Sequence, residues 1–314
     1  MTFDFARFDH PPLTDGMITI LGDPHLGRSF VHNTPLHRRG DREALIWAQF
    51  ERSLNHYPDV LHVCMGDLFH RPIVSPSVVL RAANAYLHAA RNRGGNFVIL
   101  AGNHDISRDR DVVSSFRLFE EIVGGRGLAI TTVREEPLHV GPYLFVPWSP
   151  FHSSAEMVAP YLDTPFDIVF GHWDVVNPAT DVNLVPDMPN AKLVVTGHDH
   201  LRRRVSDRLW VTGSMQPYAH GEDWTGTLYQ TVTLEELPED THDLCLRVIG
   251  DDLPDIDALQ LSLHRPRKEE DALEEISLDG FDMRDTWREM FDEFGVSARL
   301  RDELFDQFQQ GASC

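Results

Sequence analysis

Five apolar runs in this chain each end in a short burst of Asp, Asn and His side chains. They are ITILGDPH (18–25), LHVCMGDLFH (61–70), FVILAGNHD (97–105), DIVFGHWD (167–174) and LVVTGHDH (193–200). Carboxylate, amide and imidazole groups of this kind hold divalent cations or move protons. A glycine stands before or beside each burst and lets the backbone turn sharply. The repeated pattern therefore indicates one polar site assembled from five places in the sequence.

Cysteine usage limits the chemistry of this site. The three cysteines, Cys64, Cys245 and Cys314, are far apart and form no CxxC pair. A disulfide framework or a thiolate zinc site is therefore not expected. Any metal must be held by His, Asp and Asn.

The apolar runs are rich in Ile, Val and Leu and predict buried strands. The predicted strands are Ile18–Leu21, Leu61–Met65, Phe97–Ala101, Ile168–Phe170 and Leu193–Thr196, with further ones at Leu128–Val133, Tyr143–Val146 and Leu209–Thr212. Helical patterns at Arg42–Tyr57 and Ser77–Arg93 separate the first three strands, which is typical of an α/β fold. We expect two packed sheets with helices outside. In such sheets ligands bind beyond the carboxyl ends of the strands, and each polar burst follows such an end.

The sequence divides into three predicted parts. Residues 1–223 carry the large α/β domain, and residues 224–265 carry strands that alternate apolar and polar residues, as a small accessory sheet does. Residues 266–314 are acidic and carry two apolar stripes at helical spacing, which predict a C-terminal helical hairpin. The stripes are Met283, Trp287, Met290, Phe291 and Phe294, then Leu300, Leu304 and Phe308. This hairpin either folds back on the large domain or docks on a partner.

Charge and hydropathy exclude some classes of protein. The net charge is −21 over 314 residues, which argues against gripping nucleic acid with a broad basic surface of its own. No stretch approaches the roughly 20 apolar residues of a membrane span, and the start MTFDFARFDHPP lacks the features of a signal peptide. We expect a cytoplasmic protein without membrane contact.

Taken in order, the bursts contain D-x-H, GD, GNHD, GH and GHxH, and this set resembles the calcineurin-like metallophosphoesterases. The resemblance implies a two-metal site with a bridging carboxylate, which would be Asp67. It gives Asp23, His25, Asp67 and His200 to one metal, and Asp67, Asn103, His172 and His198 to the other. Manganese, iron and zinc all suit ligands without thiolate, and manganese is expected from the resemblance.

The same resemblance implies the roles of two further residues. His104 would protonate the leaving oxygen or stabilise the developing charge, and Asp105 would hold its ring. The nucleophile would be a water between the metals, because both cations lower its pKa.

Three details resemble one branch of the family, the double-strand-break repair nucleases whose bacterial member is SbcD. These are GDPHLG, the LFH of MGDLFHRPIVSP, and the GS and GE of VTGSMQPYAHGED, although His220 stands where an aromatic residue is usual. In that branch the histidine corresponding to His70 works with the phosphate; its other reading is packing beside Phe69. The chain is shorter than cellular members and its accessory sheet looks like a reduced DNA-facing cap, which would suit a phage or plasmid enzyme.

The branch also implies partners. DNA would be the substrate, an SbcC-like coiled-coil ATPase would bind the C-terminal helices and supply much of the DNA grip, and a homodimer is a further option. Basic residues near the motifs either contact phosphates or lie on solvated surface. They are Arg28, Arg38, Arg39 and Arg42 after the first motif, and Arg202, Arg203 and Arg204 after the last.

Two other functions stay open. A similar metal core serves small-molecule phosphodiesterases and phosphatases, and the fold can also act as a non-catalytic scaffold. The LFH and GS…GE features and the helical tail favour the nuclease, whereas the complete ligand set with His104 argues against a silent scaffold.

Overall fold

The chain divides into two compact units, residues 1–265 and 266–314. The computed structural model describes residues 18–56, 61–93, 96–175, 183–223 and 225–265. The predicted C-terminal hairpin lies outside these residues and stays a prediction.

Four parallel strands form the first sheet, in the order β1-β2-β3-β4. They are β1 (Ile18–Leu21), β2 (Leu61–Cys64), β3 (Asn96–Leu100) and β4 (Ile130–Val133). Each crossover carries one helix, and the helices are α1 (Asp41–His56), α2 (Pro76–Arg93) and α3 (Ser115–Val123). Ile20 lies opposite Val63, which lies opposite Val98. The loops that follow these parallel strands therefore all begin at one edge of the sheet.

The second sheet has six strands in the order β5-β6-β7-β8-β10-β9. They are β5 (Leu138–Val140), β6 (Tyr143–Phe145), β7 (Phe166–Gly171), β8 (Ala191–Thr196), β9 (Arg203–Ser206) and β10 (Leu209–Val211), with α4 (Ser154–Val158) between β6 and β7. The four central strands are parallel and the two edge strands are antiparallel. The loops after β7 and β8 therefore also share one edge.

The core lies between the two sheets because alternate side chains of each strand point to opposite faces. Ile20, Val63 and Val98 of the first sheet pack in one buried cluster with Phe170 and Val195 of the second. Their neighbours along the strands belong to separate buried clusters on the outer faces, where the helices pack. Burial on both faces explains why these strands are continuous apolar runs in the sequence.

A third, three-stranded parallel sheet follows. Its strands are β11 (Tyr229–Thr233), β12 (Cys245–Ile249) and β13 (Gln260–His264). Arg38, which is 5% exposed, donates from Nη1 to Asp257 Oδ2 at 3.2 Å, and Leu261 N donates to Asn33 O at 2.6 Å. This sheet is thus fastened to the loop that follows the first motif.

The predicted α/β class, with two packed sheets, flanking helices and a small extra sheet, is confirmed. Five of the labelled helices and strands were not predicted from the sequence: α3, α4, β5, β9 and β13. The helix α3 has only nine residues, yet it buries Phe116 and Phe119 and begins at Ser114, whose hydroxyl accepts from Arg117 N at 3.2 Å. Among the described residues, no helix is both long and apolar enough to cross a bilayer.

Replacing Phe170 by Ala should test how much the inter-sheet core contributes to the stability of the fold. Phe170 is fully buried and stacks on Phe145 with ring centroids 5.0 Å apart. We expect the free energy of unfolding to fall by about 3–5 kcal/mol, measured by urea denaturation. Val140→Ala, at a side chain 51% exposed, is the control and should change it by less than about 0.5 kcal/mol. Equal effects of the two variants would contradict this account of the core.

Candidate metal centre

The seven predicted metal ligands come together where the carboxyl edges of the two large sheets meet. Asp23 and His25 follow β1, Asp67 follows β2, and Asn103 follows β3. From the second sheet, His172 follows β7, and His198 and His200 follow β8. His25 and His200, which are 175 positions apart in sequence, thus become neighbours because the loops of both sheets begin at this edge.

The first group of donors is formed by Asp23, His25 and His200, whose nearest ligand atoms lie within 4.8 Å of one another. His25 Nε2 is 3.0 Å from His200 Nε2, and Asp23 Oδ2 is 4.0 Å from the same His200 atom. All three side chains therefore direct nitrogen or oxygen atoms at one point.

The second group is formed by Asp67, His172 and His198, again within 4.8 Å of one another. The side-chain oxygen of Asn103 joins it, at 3.0 Å from His172 Nε2 and 2.9 Å from His198 Nδ1. Two imidazole nitrogens and an amide oxygen thus converge on a second point.

Asp67 lies between the two groups. Its Oδ2 is 3.7 Å from His25 Nε2, and its Oδ1 is 3.5 Å from His172 Nε2. One carboxylate therefore presents one oxygen to each group, which is the geometry that a bridging ligand needs.

The donors fit divalent cations chemically. Two ring nitrogens, His25 Nε2 and His200 Nε2, face each other at 3.0 Å, and Asp23 Oδ1 is buried with no hydrogen-bond partner among the described residues. Buried polar atoms without a partner are costly. A cation between these atoms would satisfy the lone pairs that the protein leaves unpaired.

Backbone strain marks the same residues. His25, Asp67 and His198 have φ angles of 47°, 49° and 74°, in the left-handed region that costs side-chain-bearing residues free energy. Close packing adds to this, because a Cβ on Gly102 would overlap Asp67 Oδ1 and the ring of His172. The loops therefore hold the ligands in conformations that local preference does not favour.

Burial and mutual charge set the protonation of this centre. Burial alone would raise the pKa of Asp67, but His172 and His25 hold it below its ordinary value. Burial raises the pKa of Asp23 to about 7, with the Asp67 carboxylate adding to the rise. Burial would lower the pKa of His172, but Asp67 and Asp23 raise it to about 9. Protons thus occupy part of the site, and a bound cation would displace them.

Two carboxylates orient the ligand histidines and were not assigned from the sequence. Glu222 Oε1 lies 3.0 Å from His200 Nδ1, and Asp174 Oδ1 lies 3.0 Å from His198 Nε2. In each ring the other nitrogen faces the donor group. Partners of this kind fix the tautomer of a metal-binding imidazole. Glu222 belongs to the GE motif and Asp174 to the GHWD motif. Both residues were therefore within recognised motifs, but the sequence did not assign them a role.

The predicted role of Asp105 is wrong. Its carboxylate is fully buried and accepts from the backbone N–H groups of Leu68, Phe69 and Gly102 at 3.0, 2.8 and 2.9 Å. The ring of His104 is held instead by the carbonyl of His70, 2.7 Å from His104 Nδ1. Asp105 therefore ties together the loops after β2 and β3, and it orients His104 only through the backbone.

His70 and His104 stack beside the first donor group. Their ring centroids are 5.8 Å apart with planes at 19°, and one nitrogen of each lies within 4.8 Å of one from His25. Burial and the nearby Arg28 lower the pKa of His70 to about 4, which keeps its ring neutral at pH 7. Both predicted catalytic histidines thus face the same side of the centre.

The arginines predicted near the motifs divide into two kinds. Arg38 and Arg42 are buried: Arg38 pairs with Asp41 and Asp257, and Arg42 donates to Gln216 and to the carbonyl of Pro217. The expectation that these two arginines contact phosphate is wrong, because their N–H groups already donate to other residues of the protein. Arg203 pairs with Asp199 and Arg204 with Asp207 on the surface, whereas Arg39 is exposed. Arg28 lies with its guanidinium carbon 5.0 Å from the centroid of the Tyr218 ring.

Residues 16–202 match the model of the calcineurin-like phosphoesterase family. The match spans more than half of the chain, so the chain belongs to this family and is a metal-dependent phosphoester hydrolase. No match was found among curated proteins.

Replacing Glu222 by Ala should weaken metal binding, because the ring of His200 would lose the partner that fixes its Nε2 toward the donor group. Loss of such a partner typically costs 10- to 100-fold in metal affinity. Titration calorimetry with Mn²⁺ measures this directly, and Glu222→Gln should lose less because its amide oxygen can still accept. Asp207→Asn, at a carboxylate 95% exposed, is the matched control. Unchanged affinity in Glu222→Ala would remove Glu222 from the site.

Proposed function

We propose that this chain is a manganese-dependent nuclease that hydrolyses DNA phosphodiester bonds by a two-metal mechanism, as a subunit of an SbcCD-like repair or recombination complex. The observation that carries the two-metal part is the position of Asp67, with one carboxylate oxygen toward each donor group. The nuclease part is supported by His70, from the LFH sequence, which is half-buried and stacks beside His104.

In this proposal the seven ligands Asp23, His25, Asp67, Asn103, His172, His198 and His200 hold the cations. Two bound divalent cations would neutralise the phosphate and lower the pKa of the attacking water. Asp67 and the loops with left-handed backbone conformations hold the ligand side chains in place, so that these side chains need to move little when substrate binds.

His104 acts on the leaving group in this proposal. Its Nδ1 must carry a hydrogen, because the His70 carbonyl 2.7 Å away can only accept. Nε2 is then the ring atom left to face the substrate. In the imidazolium form it can give a proton to the departing oxygen, as general acids do. The neutral His70 ring beside it can hydrogen-bond to a phosphate oxygen without adding charge.

The substrate class separates this proposal from its rivals. A small-molecule phosphodiesterase or phosphatase could use the same metals, and burial of Arg38 and Arg42 reduces the basic surface available to DNA. The nuclease is still favoured by the LFH and GS…GE features. The ligand set together with His104 leaves no gap that would indicate a silent scaffold.

Partners are a further part of the proposal. A coiled-coil ATPase of the SbcC type would bind residues 266–314 and compensate for the chain's net charge of −21. Acidic flanks around apolar helical stripes would suit a basic groove on such a partner. A homodimer is a second arrangement compatible with this role.

A substrate panel tests the function. The purified chain with Mn²⁺ should degrade linear double-stranded DNA or short single strands faster than cyclic nucleotides or a generic phosphodiester. Asp67→Asn should abolish hydrolysis of every substrate, because the shared ligand loses its charge. Activity on cyclic nucleotides alone would support the small-molecule rival, no activity on any substrate would support the scaffold, and full activity of Asp67→Asn in metal-stripped buffer would refute the two-metal reading.

His104→Gln separates catalysis from metal binding. We expect both cations to remain, because His104 is not among the predicted ligands, while turnover falls by about 100- to 10,000-fold. Metal content by atomic emission and the turnover number on DNA are measured on the same sample. Parental turnover in this variant would remove His104 from the mechanism.

A further inference from the structure

A cavity of about 340 Å³ opens at the same edge as the metal centre, on the side of β4. Its walls are the loops that follow β3, β4 and β6 and the first turn of α3. The lining side chains include Arg110, Arg117, Arg134, Ser149, Phe151 and His152. Ile106, which also lines it, is two positions from His104, so their Cα atoms are at most about 7 Å apart. Trp148 N donates to Ala101 O at 2.9 Å and joins the loop after β6 to the loop that carries Asn103. The cavity therefore continues the edge that holds the catalytic groups.

The cavity is lined by both signs of charge, with the arginines Arg110, Arg117 and Arg134 and the carboxylates Asp109, Glu135 and Glu136. Arg134 is compensated, because it pairs with Glu120 at 2.9 Å and with Glu135. Arg110 and Arg117 are exposed, and no carboxylate of the described residues forms an ion pair with either. Such guanidinium groups suit phosphate oxygens. Arg110 and Arg117 can therefore offer their guanidinium groups to a phosphate beside the centre.

An aromatic ring lies beside this charge. Phe151 is 44% exposed, although the guanidinium carbon of Arg110 lies 4.2 Å from its ring centroid. Exposed aromatic rings next to cationic groups are the parts from which proteins build stacking sites for unpaired bases. Ser107, Ser149 and Glu136 add donors and acceptors to the walls.

We propose that this cavity binds a nucleotide of a single-stranded nucleic acid end, one neighbour away from the bond that is cut. The base stacks on Phe151 and Arg110, and the adjoining phosphate meets Arg117. This subsite rests on the proposed nuclease function and specifies its substrate as a strand with unpaired bases.

Binding in the presence of a chelator tests the subsite without cleavage. A fluorescent oligothymidylate and an abasic strand with the same backbone are titrated with the full-length protein, and binding is followed by anisotropy. We expect the wild-type chain to prefer the strand with bases. Phe151→Ala should reduce that preference about 5- to 150-fold, which corresponds to the usual 1–3 kcal/mol for stacking of one base. Phe151→Trp should retain it, and Val140→Ala is the exposed apolar control.

The charge contribution is tested with Arg110→Ala and Arg117→Ala against Arg126→Ala, an exposed arginine of the α3–β4 turn. The first two should weaken binding of both strands, and the control should not. No preference for bases in the wild-type chain, or an unchanged preference in Phe151→Ala, would overturn the subsite. Competition by thymidine monophosphate as strong as that of the oligonucleotide would also overturn it, by indicating a free nucleotide as the ligand.

Cleavage assays with Mn²⁺ distinguish failure of the proposed nuclease function from failure of the proposed nucleotide subsite. A chain that binds bases through Phe151 but cuts no DNA would refute the nuclease and leave the subsite standing. A chain that cuts DNA with Phe151→Ala showing the parental ratio of rates on base-containing and abasic strands would refute the subsite and leave the nuclease standing.

Discussion

A single buried carboxylate, Asp67, is the group on which the rest of this centre depends. Its two oxygens face histidines that come from different sheets, at 3.7 Å from His25 and 3.5 Å from His172. A carboxylate in so little water is stable as an anion only if positive charge or donors surround it. The backbone N–H of His104 supplies one donor at 2.8 Å, and the histidines and the bound cations would supply the remainder. Both sheets must therefore present their carboxyl edges to the same point.

The fold meets this requirement with parallel strands and strained loops. The inter-sheet core around Phe170 sets how the two edges face each other, and the left-handed conformations of His25, Asp67 and His198 turn the side chains into the site. Asp105 binds three backbone N–H groups from two loops and so connects the strand ends rigidly. Strain at these residues is tolerated because packing and hydrogen bonds around them determine the backbone. A preorganised site of this kind is what electrostatic catalysis needs.

Much of this arrangement could be predicted from the sequence, for identifiable reasons. Strands such as β1 and β8 are short apolar runs followed at once by polar residues, so both the element and the position of its ligands could be read together. The helix α3 and the edge strands β5 and β9 could not, because nine residues or fewer with mixed polarity give little periodic signal. The partner of the His104 ring could not be predicted either, because it is a backbone carbonyl, which any residue carries. The burial of Arg38 and Arg42 depends on contacts with residues more than 170 positions away in the sequence. Spacing identifies which side chains can act, whereas long-range packing decides which of them are free to do so.

The most direct measurement of the central claim is the number and position of manganese ions in crystals of the protein grown with Mn²⁺, located by anomalous diffraction. The account predicts two ions about 3.5–4 Å apart, one on each side of Asp67, with His25 and His200 on one ion and Asn103, His172 and His198 on the other. A single ion, or two ions that do not share Asp67, would contradict it.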